Sequence, residues 1–155
     1  MGKITLWFGI LVLLFGAIAA FELKHFEITD TSNLPEQQLA HISVGNVPLY
    51  ITVADTPQKQ QQGLSGTDSL PQDQGMLFVF PQDGSYAFWM KDMNYSLDIL
   101  WLDTAGKIVY MKENLSPDTY PITYQSPVPA RYVLEVNAGF VDANNISVGD
   151  IVHFH

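Results

Sequence analysis

The chain has no cysteine among its 155 residues. That absence excludes disulfides, thiolate metal sites, a cysteine nucleophile and a lipoprotein-type lipidated cysteine together. Basic residues are scarce as well: 7 Lys and Arg stand against 16 Asp and Glu, for a formal charge of −9. A surface with this balance repels phosphate backbones and anionic headgroups, so neither nucleic acid nor a peripheral grip on a membrane is expected. Affinity for cations or basic partners is one consequence; solubility from scattered acids is the plainer one. There is no HExxH, calcium loop or glycine-rich phosphate loop, and Ser65 in GLSG lacks the spacing of a nucleophile elbow. No cofactor is therefore expected. His153 and His155 share a strand face, but no third ligand lies near them in sequence, so no metal site is assigned.

What is present begins with a long apolar run. Residues 4–21 carry no charge, follow Lys3 and end in the small residues around Ala17-Ile18-Ala19. This is the pattern of a secretory signal cut after Ala19. A retained anchor also fits, since an apolar run of about 18 residues reaches the lower limit for crossing a bilayer. Both readings put the remaining chain outside the cytoplasm, periplasmic or secreted, with membrane contact only through the leader. Cutting after Ala19 removes Lys3 and no acid, which moves the charge from −9 to −10. Residues 20–37 lack any sustained period and gather Asp30, Thr31, Ser32, Asn33 and Pro35, as a tether would. A single domain is expected over residues 38–155, as a monomer.

Within that domain β signals dominate. HISV and VPLYITV flank Gly45-Asn46, a two-residue hairpin turn. ADTPQKQQQGLSG predicts a short helix capped by Asp55 or Thr56, with Pro57 in its first turn. The apolar run at 76–81 predicts a strand buried on both sides, ended by a turn at Asp83-Gly84. Further strands are expected at 85–91, 96–103, 107–114, 130–136 and the terminal IVHF. Residues 104–106 form a hairpin link, and residues 115–129, with four prolines, a long surface loop. NAGFVDANN predicts a helical turn or two. About eight strands with little helix argue for an antiparallel sandwich or barrel.

GMLFVF, FWMK, LDI with a hydrophobic-Asp pair, the turn at Gly106, A-x-YVLE-x-NAG and a later VGD occur in this order. Together they resemble the family called domain of unknown function 192. The resemblance implies a compact, all-β, jelly-roll-like fold, frequent export and no established activity. Thr67 and Tyr86 stand where that family often carries arginine, and Asp92 and Met93 replace its usual asparagine and threonine.

Strand periodicity selects the candidate site. Arg131, Val133 and Glu135 share one face of their strand, and Tyr132, Leu134 and Val136 share the other, which reads as the core face. Trp89 and Lys91 share a face, and Asp98 lines the next strand with Leu100 and Leu102. Lys91, Asp98, Arg131 and Glu135, walled by Trp89, form the candidate ligand site. Tyr120 and Tyr124 join it as aromatics of an exposed loop. Charges in apolar strands need partners, so the same four side chains also fit a mutual network that sets strand register.

Three functions follow. The first is a non-enzymatic extracytoplasmic domain that binds a small polar ligand, a glycan or a protein. The second is a hydrolase of a polar polymer with Asp98 and Glu135 as acid and base, which requires both carboxylates on one side of the sheet. The third is a structural interaction domain that uses a sheet edge.

Overall fold

The structure, a computed structural model, describes residues 40–155. The expected leader and tether lie outside the described residues. Nine strands and two short helices follow in the order β1 (Ala40–Val44), β2 (Val47–Ala54), α1 (Pro57–Gln62), β3 (Gln74–Gly84), β4 (Ala87–Trp89), β5 (Leu97–Leu102), β6 (Ile108–Leu115), β7 (Thr123–Gln125), β8 (Ala130–Asn137), α2 (Phe140–Ala143) and β9 (Val152–Phe154). Seven strands make one curled sheet in the order β6-β5-β8-β3-β2-β1-β9, and β4 pairs with β7 in a small second sheet. The fold is all-β, as the patterning predicts.

Local chemistry explains the connections. Val44 pairs with Val47 across the Gly45-Asn46 turn, and Gly45 takes φ +57, which a residue without Cβ adopts freely. Thr56 caps α1 by accepting from the Lys59 amide at 3.3 Å, while Asp55 instead pairs with the Lys59 ammonium at 2.9 Å. One pairing departs from an antiparallel expectation: β2 and β3 run parallel. The segment between them, which carries α1, is the crossover that parallel neighbours require.

The ends of the sheet order meet. The Ile108 amide donates to the Asp150 carbonyl at 2.9 Å, the Val152 amide donates to the Gly106 carbonyl at 2.8 Å, and Lys107 bridges Ile151. These bonds hold the curl that turns the sheet into a half-barrel.

The central strands are buried on both faces. One core gathers Ile42, Leu49, Leu77, Leu100, Leu134 and Val136 inside the curl, with Phe140 and Val141 of α2. The other gathers Phe78, Met90, Ile99, Trp101 and Val133, with Phe88 and Met93 packed against them. All six residues of β5 are buried. The expected division of β8 into a core face and an open face is therefore corrected: Val133 is as deeply buried as Leu134. The expected strand at 85–91 shrinks to Ala87–Trp89, and the Asp83-Gly84 turn is absorbed into the end of β3. The proline-rich loop contains a 3-10 turn at Pro117–Thr119 and then β7, which pairs with β4.

Candidate functional site

β8 sits between β5 and β3, and its register fixes where Glu135 points. Glu135 pairs with Ile99 on one side and with Met76 on the other. Directly paired residues share a face, so Glu135 faces the Phe78–Trp101 core. On that side a cavity of about 150 Å³ opens among Phe78, Phe80, Tyr86, Phe88, Trp89 and Met93, with residues 60–65 along one flank and Glu135 on its buried side.

Glu135 is 5% exposed. Among the described residues, no side-chain oxygen or nitrogen sealed from solvent lacks a hydrogen-bond partner. The Glu135 carboxyl has no protein donor there, so its oxygens meet the cavity itself. Burial pushes this carboxyl up from 4.5 to about 8, because the charged form is poorly solvated. At neutral pH burial therefore favours the neutral acid over the carboxylate.

The walls are held by contacts from several elements. Phe80 and Tyr86 stack at 3.5 Å between ring centroids, nearly parallel. Phe78 meets Phe88 edge to face at 4.8 Å, and Phe88 meets Trp101 likewise at 6.0 Å. The Trp101 indole donates to the Tyr86 carbonyl at 3.1 Å, which ties the β4 layer to β5. Gln60 donates to the Val79 carbonyl at 2.8 Å and anchors α1 over β3. The Ser65 hydroxyl donates to the Lys91 carbonyl at 2.8 Å, and the Gly66 amide donates to the Asp92 carbonyl at 2.7 Å, closing the rim. Trp89 stands at the mouth, 51% exposed, and meets Tyr120 of the proline-rich loop at 6.1 Å. A shallower groove of about 380 Å³ adjoins it, sharing Trp89 and reaching Lys91 and Asp92.

The family model described as an uncharacterized ACR, DUF192, matches residues 40–154. The chain belongs to the DUF192 family. A crystal structure from Sinorhizobium meliloti 1021, described as a candidate transcription regulator, shares 30% identity with this DUF192 chain at a TM-score of 0.69. The match covers 74% of this chain and 91% of that one. A protein of unknown function from Novosphingobium aromaticivorans DSM 12444 has the same fold, with a TM-score of 0.72 and 23% identity over 79% of this chain and 89% of that one. No curated protein matches.

The DUF192 fold disperses the expected four-charge cluster, and this is a correction. Asp98 pairs with Val136, one residue along from the Ile99–Glu135 pair, and so projects from the opposite face. There it is fully buried and accepts from the Asn114 amide at 2.8 Å and the Val141 amide at 3.0 Å. Arg131 donates to Asp83 at 2.7 Å near the surface. Lys91 is exposed on the adjoining groove, with its ammonium 3.9 Å from Asp92. The four charges therefore neither line one pocket nor pair with one another. The Asp98–Glu135 acid–base pair does not form, since the two carboxylates lie on opposite faces of the sheet.

Trp89 and Glu135 do line one cavity, and Tyr120 stands beside Trp89. Tyr124 lies opposite Phe88 on β7 and packs against the second core. The residues that periodicity missed as site residues are Tyr86, Met93 and Gln60–Gln62. Tyr86 and Met93 did carry a signal, as two of the positions where the chain departs from the family pattern. Of the other two, Thr67 bonds the Tyr95 hydroxyl at 2.7 Å, and Asp92 takes φ +55 at the rim.

Proposed function

We propose that this DUF192 domain is a non-enzymatic ligand-binding domain that works outside the cytoplasm and holds a small polar molecule at Glu135. One observation carries this reading: a carboxyl 5% exposed faces a cavity instead of a protein donor. Burying an acid without a partner costs several kcal/mol, by rough account, even when it stays neutral. A purely structural position would tolerate leucine or methionine at lower cost. A ligand supplies the missing partner.

Of the partner classes open to the sequence, the cavity favours the smallest. At about 150 Å³ it lies well below drug-sized pockets, and a glycan chain would have to lie along the open groove instead. Catalysis has less support, because the second carboxylate, Asp98, is engaged by two backbone amides on the other face. A formal charge of −9 repels a phosphate backbone, which disfavours a nucleic-acid-binding regulator. Placement outside the cytoplasm rests on Lys3 and the apolar run at 4–21.

The test is a screen of the full-length protein, with methionine methyls labelled for NMR, against a broad panel of small amines, alcohols, acids and sugars. Ligands are expected to shift the Met93 methyl and to lose that effect in Glu135→Ala. A panel in which no compound moves Met93 overturns the reading. A phosphatase fused after His155 is expected to be active in an exporting host, and an inactive, cytoplasmic fusion overturns the placement.

A further inference from the structure

The cavity is one-sided in charge. Its walls are aromatic rings and the Met93 thioether, one flank carries the neutral side chains of Gln60, Gln61, Gln62 and Ser65, its buried side is a carboxyl, and no lysine, arginine or histidine lines it among the described residues. Aromatic faces and a carboxylate both attract positive charge. An anion would find no cationic partner there, and the acidic chain would repel it. We propose that the ligand is a small organic cation, an alkylammonium ion, whose nitrogen is held by the Glu135 carboxylate while its alkyl part packs among Phe78, Phe88, Trp89 and Met93. This rests on the reading of the cavity as a ligand site and names the class of ligand.

Binding then includes a proton step. The empty site holds Glu135 as a neutral acid, with its carboxyl raised to about 8 by burial. When R–NH3⁺ enters, the Glu135 O–H bond breaks, the proton leaves to solvent, and the carboxylate pairs with the ammonium. The charge inside the cavity stays balanced. Other groups near Glu135 are apolar or already hydrogen-bonded elsewhere. β3 and β5 present Met76 and Ile99. Tyr95 is raised above its usual range, by burial first and by Glu135 to a lesser degree, and its hydroxyl bonds Thr67. Tyr86 donates to the Gln82 carbonyl at 2.6 Å. Arg131, further along the same face of β8, is engaged by Asp83. Affinity for the cation therefore rises with pH up to about 8 and levels off above it.

The experiment is calorimetric titration of the full-length protein with isobutylammonium, neutral isobutanol and isobutyrate at pH 6 and pH 8, each in two buffers of different ionisation enthalpy. Isobutylammonium is expected to bind roughly 50-fold more tightly at pH 8 than at pH 6, with close to one proton released per ligand at pH 6. Glu135→Gln keeps the shape and removes the charge. It is expected to retain the circular dichroism of the parent, to weaken isobutylammonium at least tenfold at pH 8 and to abolish the pH dependence. Met93→Lys places a tethered ammonium in the cavity and is expected to block the free one. If isobutanol binds and moves Met93 while isobutylammonium does not, or if the amine binds without proton release, the cation inference is overturned and the ligand site stands. Binding of isobutyrate alone has the same meaning. If none of the three binds, the cation inference falls, and the ligand site is decided by the broad panel.

Discussion

Asp98 and Glu135 lie one register step apart on neighbouring strands and project from opposite faces of the sheet. Each is buried, yet they have opposite chemistry. Asp98 is held by two backbone amides, whereas Glu135 faces open space. The first is a structural carboxylate and the second is the proposed ligand site.

Asp98 acts as a distant helix cap. The N-cap of α2 is Gly139, which has no side chain to cap the helix, and Asp98 accepts from the Val141 amide in its place. The other oxygen takes the amide of Asn114, a residue held at φ +55. Asp98→Asn replaces one acceptor with a donor that faces an amide. A loss of about 2–4 kcal/mol is expected in urea unfolding. The Met93 methyl signal should not move. A variant as stable as the parent would remove this role for Asp98.

Glu135 makes stability depend on pH in an unusual direction. Its folded value, about 8, lies above the ordinary 4.5. Below about 4.5 both folded and unfolded states are protonated, and the neutral acid contributes fully. As pH rises from there to about 8, the unfolded chain releases its proton first, so stability falls. Glu135→Gln has no such loss. It is expected to match the parent near pH 4 and to exceed it at pH 9, with a ceiling of about 5 kcal/mol for a shift of this size. Urea midpoints at pH 4, 7 and 9 check this, and parallel pH profiles for the two proteins would contradict it.

Much of the fold was legible because strand patterning and turn chemistry agree. The Gly45-Asn46 hairpin, the cap and proline of α1, the burial of β3 on both faces at Leu77 and Phe78 and the turn at Gly106 all follow from local residues, whereas Pro81 of the same run is exposed. The site was legible only in part. Periodicity correctly put Arg131, Val133 and Glu135 on one face, but it could not tell that the second face of β8 is also covered. That covering comes from β4, α1 and the loop at residues 63–66, which are distant in sequence. Alternation likewise grouped Asp98 with Glu135 by charge, although β5–β8 register, a tertiary fact, separates them. Tyr86 and Met93 escaped because bulky apolar residues beside a strand are usually core.

Arg131 and Asp83 test whether the remaining charges matter. Their contact is short, 2.7 Å, but Arg131 is 30% and Asp83 48% exposed at the side chain. Exposed pairs typically contribute about 0–1 kcal/mol. Arg131→Ala is expected to shift the urea midpoint only within that range and to leave Met93 unmoved. A loss beyond about 2 kcal/mol, or a disturbed cavity, would show that Arg131 supports the site and does more than anchor the end of β8.

Gly106 has the most demanding backbone position at the seam of the half-barrel. Its φ is +78, and a Cβ built there would approach the Val152 carbonyl oxygen to 2.5 Å. The same two residues are joined by the bond from the Val152 amide to the Gly106 carbonyl, so neither strand can retreat without breaking the closure. Gly45 has a similar φ of +57 but open space around the position of its Cβ. The pair separates two costs. Gly45→Ala carries only the left-handed backbone penalty, about 1 kcal/mol. Gly106→Ala adds the clash, for a total of about 2–4 kcal/mol. Hydrogen exchange at the Val152 and Ile108 amides should quicken in Gly106→Ala and not in Gly45→Ala, because only the former opens the seam that joins the ends of the sheet.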